Sequence, residues 1–182
     1  MTKESKNWNM VDAISHYRHD WMNRLQLIKG NLSLGKYERV NEIMEEIIIE
    51  AQQESRLCNL KAPELAGKLI SFGWNRHLYT LEYEIVGETF SLNKYDQMLA
   101  LWFGEFFELL DQCAGETSEN QLVITIEMAE KVGQVRFFFD FHGILKETEI
   151  LHTYFQKLPD NQVSELAITA EELTAAVIYY TK

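Results

Sequence analysis

The chain has 182 residues, a formal net charge of −11 and 46% hydrophobic residues, which is enough apolar content for a core and too much for a disordered chain. So acidic a balance excludes a general nucleic-acid binder, whose phosphate contacts need a basic surface. Its two cysteines, Cys58 and Cys113, form neither a disulfide framework nor a metal-ligand spacing and suit a reducing cytosol.

The opening stretch MTKESKNWNM lacks the apolar core of a signal peptide. No run approaches the ~18 apolar residues of a membrane span, because MLALWFGEFFELL is interrupted by Glu105 and Glu108. A cytoplasmic protein without a membrane segment is expected. The charge is uneven, however. Residues 1–35 hold Lys3, Lys6, Arg18, Arg24 and Lys29 against Glu4, Asp12 and Asp20, a net of +2 that leaves −13 for the remainder. That local excess favours an anionic partner near the N-terminus.

Taken in chain order, the first element is a helix. Val11, Ile14, Trp21, Leu25, Ile28 and Leu32 fall at spacings that alternate three and four, with Arg18 at the missing step, which is the seam of a bundled helix. Gly35 stops it. Tyr37, Val40, Met44, Ile47, Ala51 and Cys58 make the stripe of a second helix, widened by Ile43 and Ile48, interrupted by Glu54 and ended before Pro63. So short a connection makes the pair an antiparallel hairpin. Two helices cannot enclose so long a seam, and the simplest cover is a second copy. The expectation is a homodimeric four-helix bundle with two-fold symmetry. Packing of the hairpin on the C-terminal region of its own chain is the alternative.

From residue 63 the texture changes. PELAGKLISFGWNRHLY reads as a helix, and LEYEIVG alternates as a strand ending at Gly87. KYDQMLALWFGEFFELLDQCA is a strongly apolar helix. QLVITIEMA and QVRFFFDF read as strands of a hairpin turning around Lys131–Gly133. A helix near Lys146–Lys157 precedes Pro159, and LTAAVIYY closes the chain as a strand. The expected fold class is α+β, with residues 1–60 as a helical hairpin and residues 61–182 as an α/β domain layering helices on a sheet.

The chemistry concentrates in SHYRHDWMNRLQLIKGN, Ser15–Asn31. His19 lies one step off the Arg18 seam position, and its neighbours at helical spacing are Ser15, His16, Met22 and Asn23. With Asp12 and Gln26 this face is mostly polar, so His19 is expected to be exposed on the flank of the bundle. An imidazole with an ordinary pKa near 6.5 is largely uncharged and nucleophilic at neutral pH. One ring nitrogen can attack phosphorus and form a phosphoramidate, while the other is oriented by a neighbouring acceptor, for which Asp20 is a candidate. Arg18 and Arg24 can offset the charge of a transferring phosphoryl group, and Asn23 can bond to it or to a partner. His16, His19, Asp20 and Asn23 also share a face as metal ligands would. Asn is a poor zinc ligand, though, and no fourth strong ligand is near.

The order of these residues adds a resemblance. HDWMNRLQ resembles the H-D-x-x-N-x-L-Q phosphoacceptor motif of some sensor histidine kinases, and RHDWMNRLQLIKGNLSLGKYERV resembles the sporulation-initiation phosphotransferase B family of endospore-forming bacilli. That resemblance, which runs through the whole chain, implies a cytoplasmic phosphorelay histidine phosphotransferase in which His19 is the phosphoacceptor, with Asp20, Asn23 and Arg18 supporting it. It further implies a homodimer whose partners are the receiver domains of response regulators. The phosphoryl group would pass from the aspartate of one regulator to that of another. Magnesium would be supplied at the receiver, with no cofactor or metal bound by this chain. The alternatives are an ATP-dependent sensor-type histidine kinase and a non-catalytic scaffold that binds response regulators.

The C-terminal region resembles a histidine-kinase ATPase domain whose nucleotide site has decayed. Glu108 and Gln112 stand where the kinase pattern has asparagines. The stretch DFHGI keeps Asp140 but has His142 and Ile144 at glycine positions, and no glycine follows Pro159. Losing those glycines removes the close backbone approach a nucleotide needs. LALWFGEFFELL and RFFFDF read as core. His77, His142 and His152 are scattered, and Cys113 reads as an inert core thiol.

Overall fold

A computed structural model describes residues 9–117, 119–159 and 161–181. Lys3, Glu4 and Lys6 of the cationic segment, and most of MTKESKNWNM, lie outside them. The chain divides into two compact units after Ala51.

The first unit is a helical hairpin. Helix α1, Met10–Ser33, starts where the side chain of Asn9 accepts a hydrogen bond from the Asp12 N–H at 3.0 Å. It stops at Gly35, whose left-handed φ of 68° lets the Lys36 N–H return to the Asn31 carbonyl at 3.0 Å. Helix α2, Tyr37–Asn59, follows at once. Val40 and Ile43 on α2 are buried, but α1 buries none of its residues. Of the expected seam, Val11, Ile14, Trp21, Leu25 and Leu32 are exposed, from 38% at Trp21 to 76% at Val11, and Ile28 is half-buried. On α2, Tyr37, Met44 and Ile48 form an exposed stripe beside the buried one.

The last turns of α2 belong to the second unit. Leu57 and Leu60 are fully buried in its core, and Gln53 Oε1 accepts the Ile85 N–H at 2.8 Å. The sequence reading divides the chain at 60/61; the compact units divide within α2, because its C-terminal end carries apolar residues that the sheet domain encloses.

Pro63 opens helix α3, Pro63–Ile70, in the first-turn position that tolerates a missing N–H. The expected helix to Tyr79 ends at Ile70 and gives way to a 3₁₀ turn at Phe72–Trp74. The chain is pulled off the helical path there. Asp111 takes the Leu78 N–H at 2.9 Å and Nδ1 of His77 at 2.6 Å, and the His77 ring stacks on Phe72. His77 is thus a satisfied, half-buried histidine.

The remaining elements are β1 Thr80–Val86, α4 Asp96–Cys113, β2 Gln121–Ala129, β3 Gln134–His142, α5 Thr148–Gln156, β4 Val163–Ile168 and β5 Glu172–Tyr180. The sheet order is β1-β2-β3-β5-β4, with β1 and β2 parallel and the other pairs antiparallel. Strand β4 is absent from the sequence expectation. Its alternation is broken by a bulge between Ser164 and Ala167, where Glu165 takes a φ of 55°.

Phe137 and Phe139 of β3 meet Phe103 and Phe106 of α4, and Phe155 of α5 packs on Phe106. Helices α3, α4 and α5 therefore bury one face of the sheet, and the alternate strand residues make the other face. Within the core, burial raises the Cys113 thiol above its ordinary pKa. Asn120 ties three loops together, donating to the Leu78 and Gly115 carbonyls and accepting the Ile144 N–H. The fold class is α+β, with N-terminal helices and a five-stranded C-terminal sheet. Among the described residues, no helix is long and apolar enough to cross a membrane.

Candidate functional site

The middle of α1 carries the candidate site. A regular helix with capped ends holds its side chains on a fixed pitch, so residues three and four apart meet without any loop to position them. His19 is 72% exposed and Asp20 50%. Nδ1 of His19 lies 3.3 Å from Nδ2 of Asn23 and 3.5 Å from Oδ1 of Asp20. Both neighbours therefore engage the same ring nitrogen. The other, Nε2, has no hydrogen-bond or ion-pair partner among the described residues.

The flanking cations differ from each other. Arg24 reaches across the hairpin to an ion pair with Glu50 on α2. Arg18 is exposed and makes no ion pair among the described residues. Of the two guanidiniums expected beside a phosphoryl group, Arg18 is therefore the one that no carboxylate of the described residues holds. His16 is half-buried and engaged with its surroundings. Tyr17 and Trp21 pack edge to face, with ring centroids 6.4 Å apart, and stiffen the turn on which His19 stands. The structure thus brings His19, Asp20 and Asn23 together, with Arg18 exposed at the preceding position of the helix.

The residues compared with a nucleotide site do not converge. Glu108 and Gln112 lie on the exposed side of α4. Successive strand residues alternate between faces, so Phe139 and Phe141 turn toward the helices and Asp140 toward the opposite face. Asp140, which DFHGI keeps from the kinase pattern, thus stands on the face turned away from α4. The pleat parity is the physical reason, and the apolar alternation VRFFFDF carries that parity in its phenylalanines. Three residues absent from the sequence reading matter as well. Asp96 is buried and accepts the Glu64 and Leu65 N–H groups at 3.0 and 2.9 Å, capping α3 from another helix. Asn120 is the loop hub, and Glu172 stands directly across the β3–β5 ladder from His142. No local motif marks any of the three, because each acts on residues distant in sequence.

Comparison with known proteins bears on both units. The family described as "Sensor_kinase_SpoOB-type, alpha-helical domain" matches residues 1–60, and the one described as "Sporulation initiation phospho-transferase B, C-terminal" matches residues 61–179. The chain is 42% identical over 166 residues to sporulation initiation phosphotransferase B of Bacillus subtilis (strain 168), covering 91% of this chain and 84% of that one. Among solved structures, a blue-light activated histidine kinase of Erythrobacter litoralis EL346 aligns with a TM-score of 0.43 and 10% identity, over 99% of this chain and 63% of that chain. The histidine kinase AdeS of Acinetobacter baumannii gives a TM-score of 0.37 and 10% identity, over 90% of this chain and 98% of that chain. Both scores are too low for shared fold or activity to rest on them. The family match along the length and the 42% identity decide the assignment: the chain belongs to the sporulation initiation phosphotransferase B family.

Proposed function

We propose that this chain is a phosphorelay phosphotransferase of sporulation initiation in which His19 carries the phosphoryl group between two response-regulator receiver domains. The observation that carries the reading is the exposed imidazole within HDWMNRLQ, engaged through Nδ1 and open at Nε2. Family membership and the name of the Bacillus subtilis relative support phosphoryl transfer in sporulation.

The step divides among a few groups. With the proton on Nδ1, the lone pair of Nε2 attacks the phosphorus of an aspartyl phosphate. The P–O bond to the aspartate breaks, and its electron pair returns to the carboxylate. The ring gains positive charge, which the Asp20 carboxylate, 3.5 Å from Nδ1, offsets. Half a turn of the Asn23 amide presents its oxygen to the Nδ1 proton and keeps Nε2 directed outward. Arg18 supplies a guanidinium to the phosphoryl oxygens. Reversal of the same steps delivers the group to the aspartate of the second receiver. Magnesium belongs to the receiver, where it neutralises phosphoryl charge during transfer.

The open seam supports a homodimer joined through the hairpins. Leaving Val11, Ile14, Leu25 and Leu32 in water forgoes roughly 1–2 kcal/mol each relative to full burial. A second hairpin, with its exposed Tyr37–Met44–Ile48 stripe, completes a four-helix bundle with His19 on its flank. The C-terminal domain acts as structural support and partner contact, and the reaction takes place in the cytosol.

The test presents ³²P-labelled receiver domain and ³²P-labelled ATP in parallel to the wild type and to His19→Ala. Acid-labile label from the receiver, lost in His19→Ala, is the expected result. Label from ATP alone would make the chain a kinase. Label from neither, with the receiver still bound, would make it a scaffold.

A further inference from the structure

We propose that the end of the β3–β5 ladder is a binding site for a divalent transition-metal ion of the zinc class, formed by Asp140, His142 and Glu172. Asp140 and His142 are two residues apart on β3 and so share the face turned away from the helices. His142 stands directly opposite Glu172 of β5. One ligand atom from each of the three lies within 4.8 Å of the others.

Two features of the atoms point to a ligand. Nε2 of His142 and Oδ1 of Asp140 are 3.1 Å apart. Yet Oδ1 of Asp140, shut off from water, has no hydrogen-bond partner among the described residues. The ring nitrogen is thus close to the oxygen but out of line for an N–H···O bond. The Asp140 side chain is 33% exposed and that of His142 60%, so an ion from solution can reach the pair. Atoms bound about 2.0–2.2 Å from a zinc-class ion sit roughly 2.9–3.5 Å from one another, from octahedral to tetrahedral angles. The observed 3.1 Å falls in that range. A shared cation would satisfy the oxygen and the imidazole lone pair together.

The donors rest on fixed backbone. The Gly143 N–H donates to the Glu171 carbonyl at 2.9 Å, and the Thr169 N–H donates to the Glu172 carbonyl at 2.8 Å. Gly143 has a φ of 146°, and a Cβ there would come within 2.2 Å of Asn120 Oδ1, so the end of β3 has little freedom. Imidazole with two carboxylates suits zinc, cobalt or manganese better than magnesium, which prefers all-oxygen shells. The site lies across the sheet from α4 and is not a remnant of a nucleotide site. It departs from the sequence expectation of no metal, since Glu172 comes from a strand distant in sequence.

The test is calorimetric titration of Zn²⁺ into the full chain, freed of metal beforehand by chelation, with Co²⁺ absorption as a second probe. One equivalent per chain is expected, weakened at least tenfold in His142→Ala and in Glu172→Gln and kept in the double variant His16→Gln/His19→Gln. Far-ultraviolet circular dichroism checks that each variant folds. Equal binding by wild type and by the combined Asp140→Asn/His142→Ala/Glu172→Gln variant overturns the proposal. So does loss of binding only in the His16/His19 variant, which would place the ion on α1.

Discussion

Nδ2 of Asn23 stands 3.3 Å from Nδ1 of His19, one helical turn along α1. An exposed imidazole without such a neighbour rotates freely, and an attacking nitrogen gains most of its advantage from being held in line. Asn23→Ala keeps the helix, since Ala is the better helix former, and removes the ring's partner. Phosphotransfer from a labelled receiver is expected to slow about tenfold by rapid-quench measurement, with receiver binding unchanged. An unaltered rate would remove Asn23 from the site.

Leu25 is 51% exposed on the α1 seam. In a two-fold bundle, Leu25→Arg places a charge at the interface twice. Losing about 1–2 kcal/mol per side chain, twice, weakens the dimer by roughly thirtyfold or more. Sedimentation equilibrium should find the wild type dimeric at micromolar concentration and the variant monomeric. A monomeric wild type would count against the hairpin dimer.

Asp96 caps α3 from the start of α4, and Ala62, at the N-cap position of α3, offers no side-chain acceptor. Asp96→Ala leaves two N–H groups without partners where water is largely excluded. A loss of about 2–3 kcal/mol is expected in urea unfolding, with the slope unchanged. A loss below about 0.5 kcal/mol would show that water replaces the carboxylate.

Burial raises the phenols of Tyr79 and Tyr154 well above the ordinary value and that of Tyr179 to about 12. Because the native state holds these protons more tightly than the unfolded chain, the stabilisation is complete below about pH 10. It declines as pH rises from about 10 through 12. Phenolate absorbance from Tyr79, Tyr154 and Tyr179 should therefore appear only well above pH 10, together with loss of near-ultraviolet circular dichroism. One phase near pH 10 with structure retained would contradict this.

The two halves of the molecule were unequally legible in its sequence. His19, Asp20 and Asn23 are close in sequence on one helix, so their spacing alone puts them together. The apolar stripe of α1 was legible for the same reason: Val11, Ile14, Trp21, Leu25 and Leu32 stand exposed along it and Ile28 is half-buried. In the sheet domain, β2 and β3 announced themselves by strict alternation. Strand β4 did not, because Glu165 breaks the pleat with a φ of 55°. Helix α3 read too long, because its stop depends on Asp111 capturing Leu78 and His77 from another helix. Asp140 read as part of a loop motif, although its parity opposite Phe139 and Phe141 already turned it away from the helices. What depends on pairing across the fold, as with Glu172 facing His142, has no local signal.

The most direct measurement of the central claim follows label from one receiver to another. A phosphorylated first receiver is mixed with an unphosphorylated second one and a trace of this chain, and samples are quenched over time. The account predicts label on the second receiver only when the chain is present, preceded by transient acid-labile label on His19, and none with His19→Gln. Transfer undiminished by His19→Gln would contradict it.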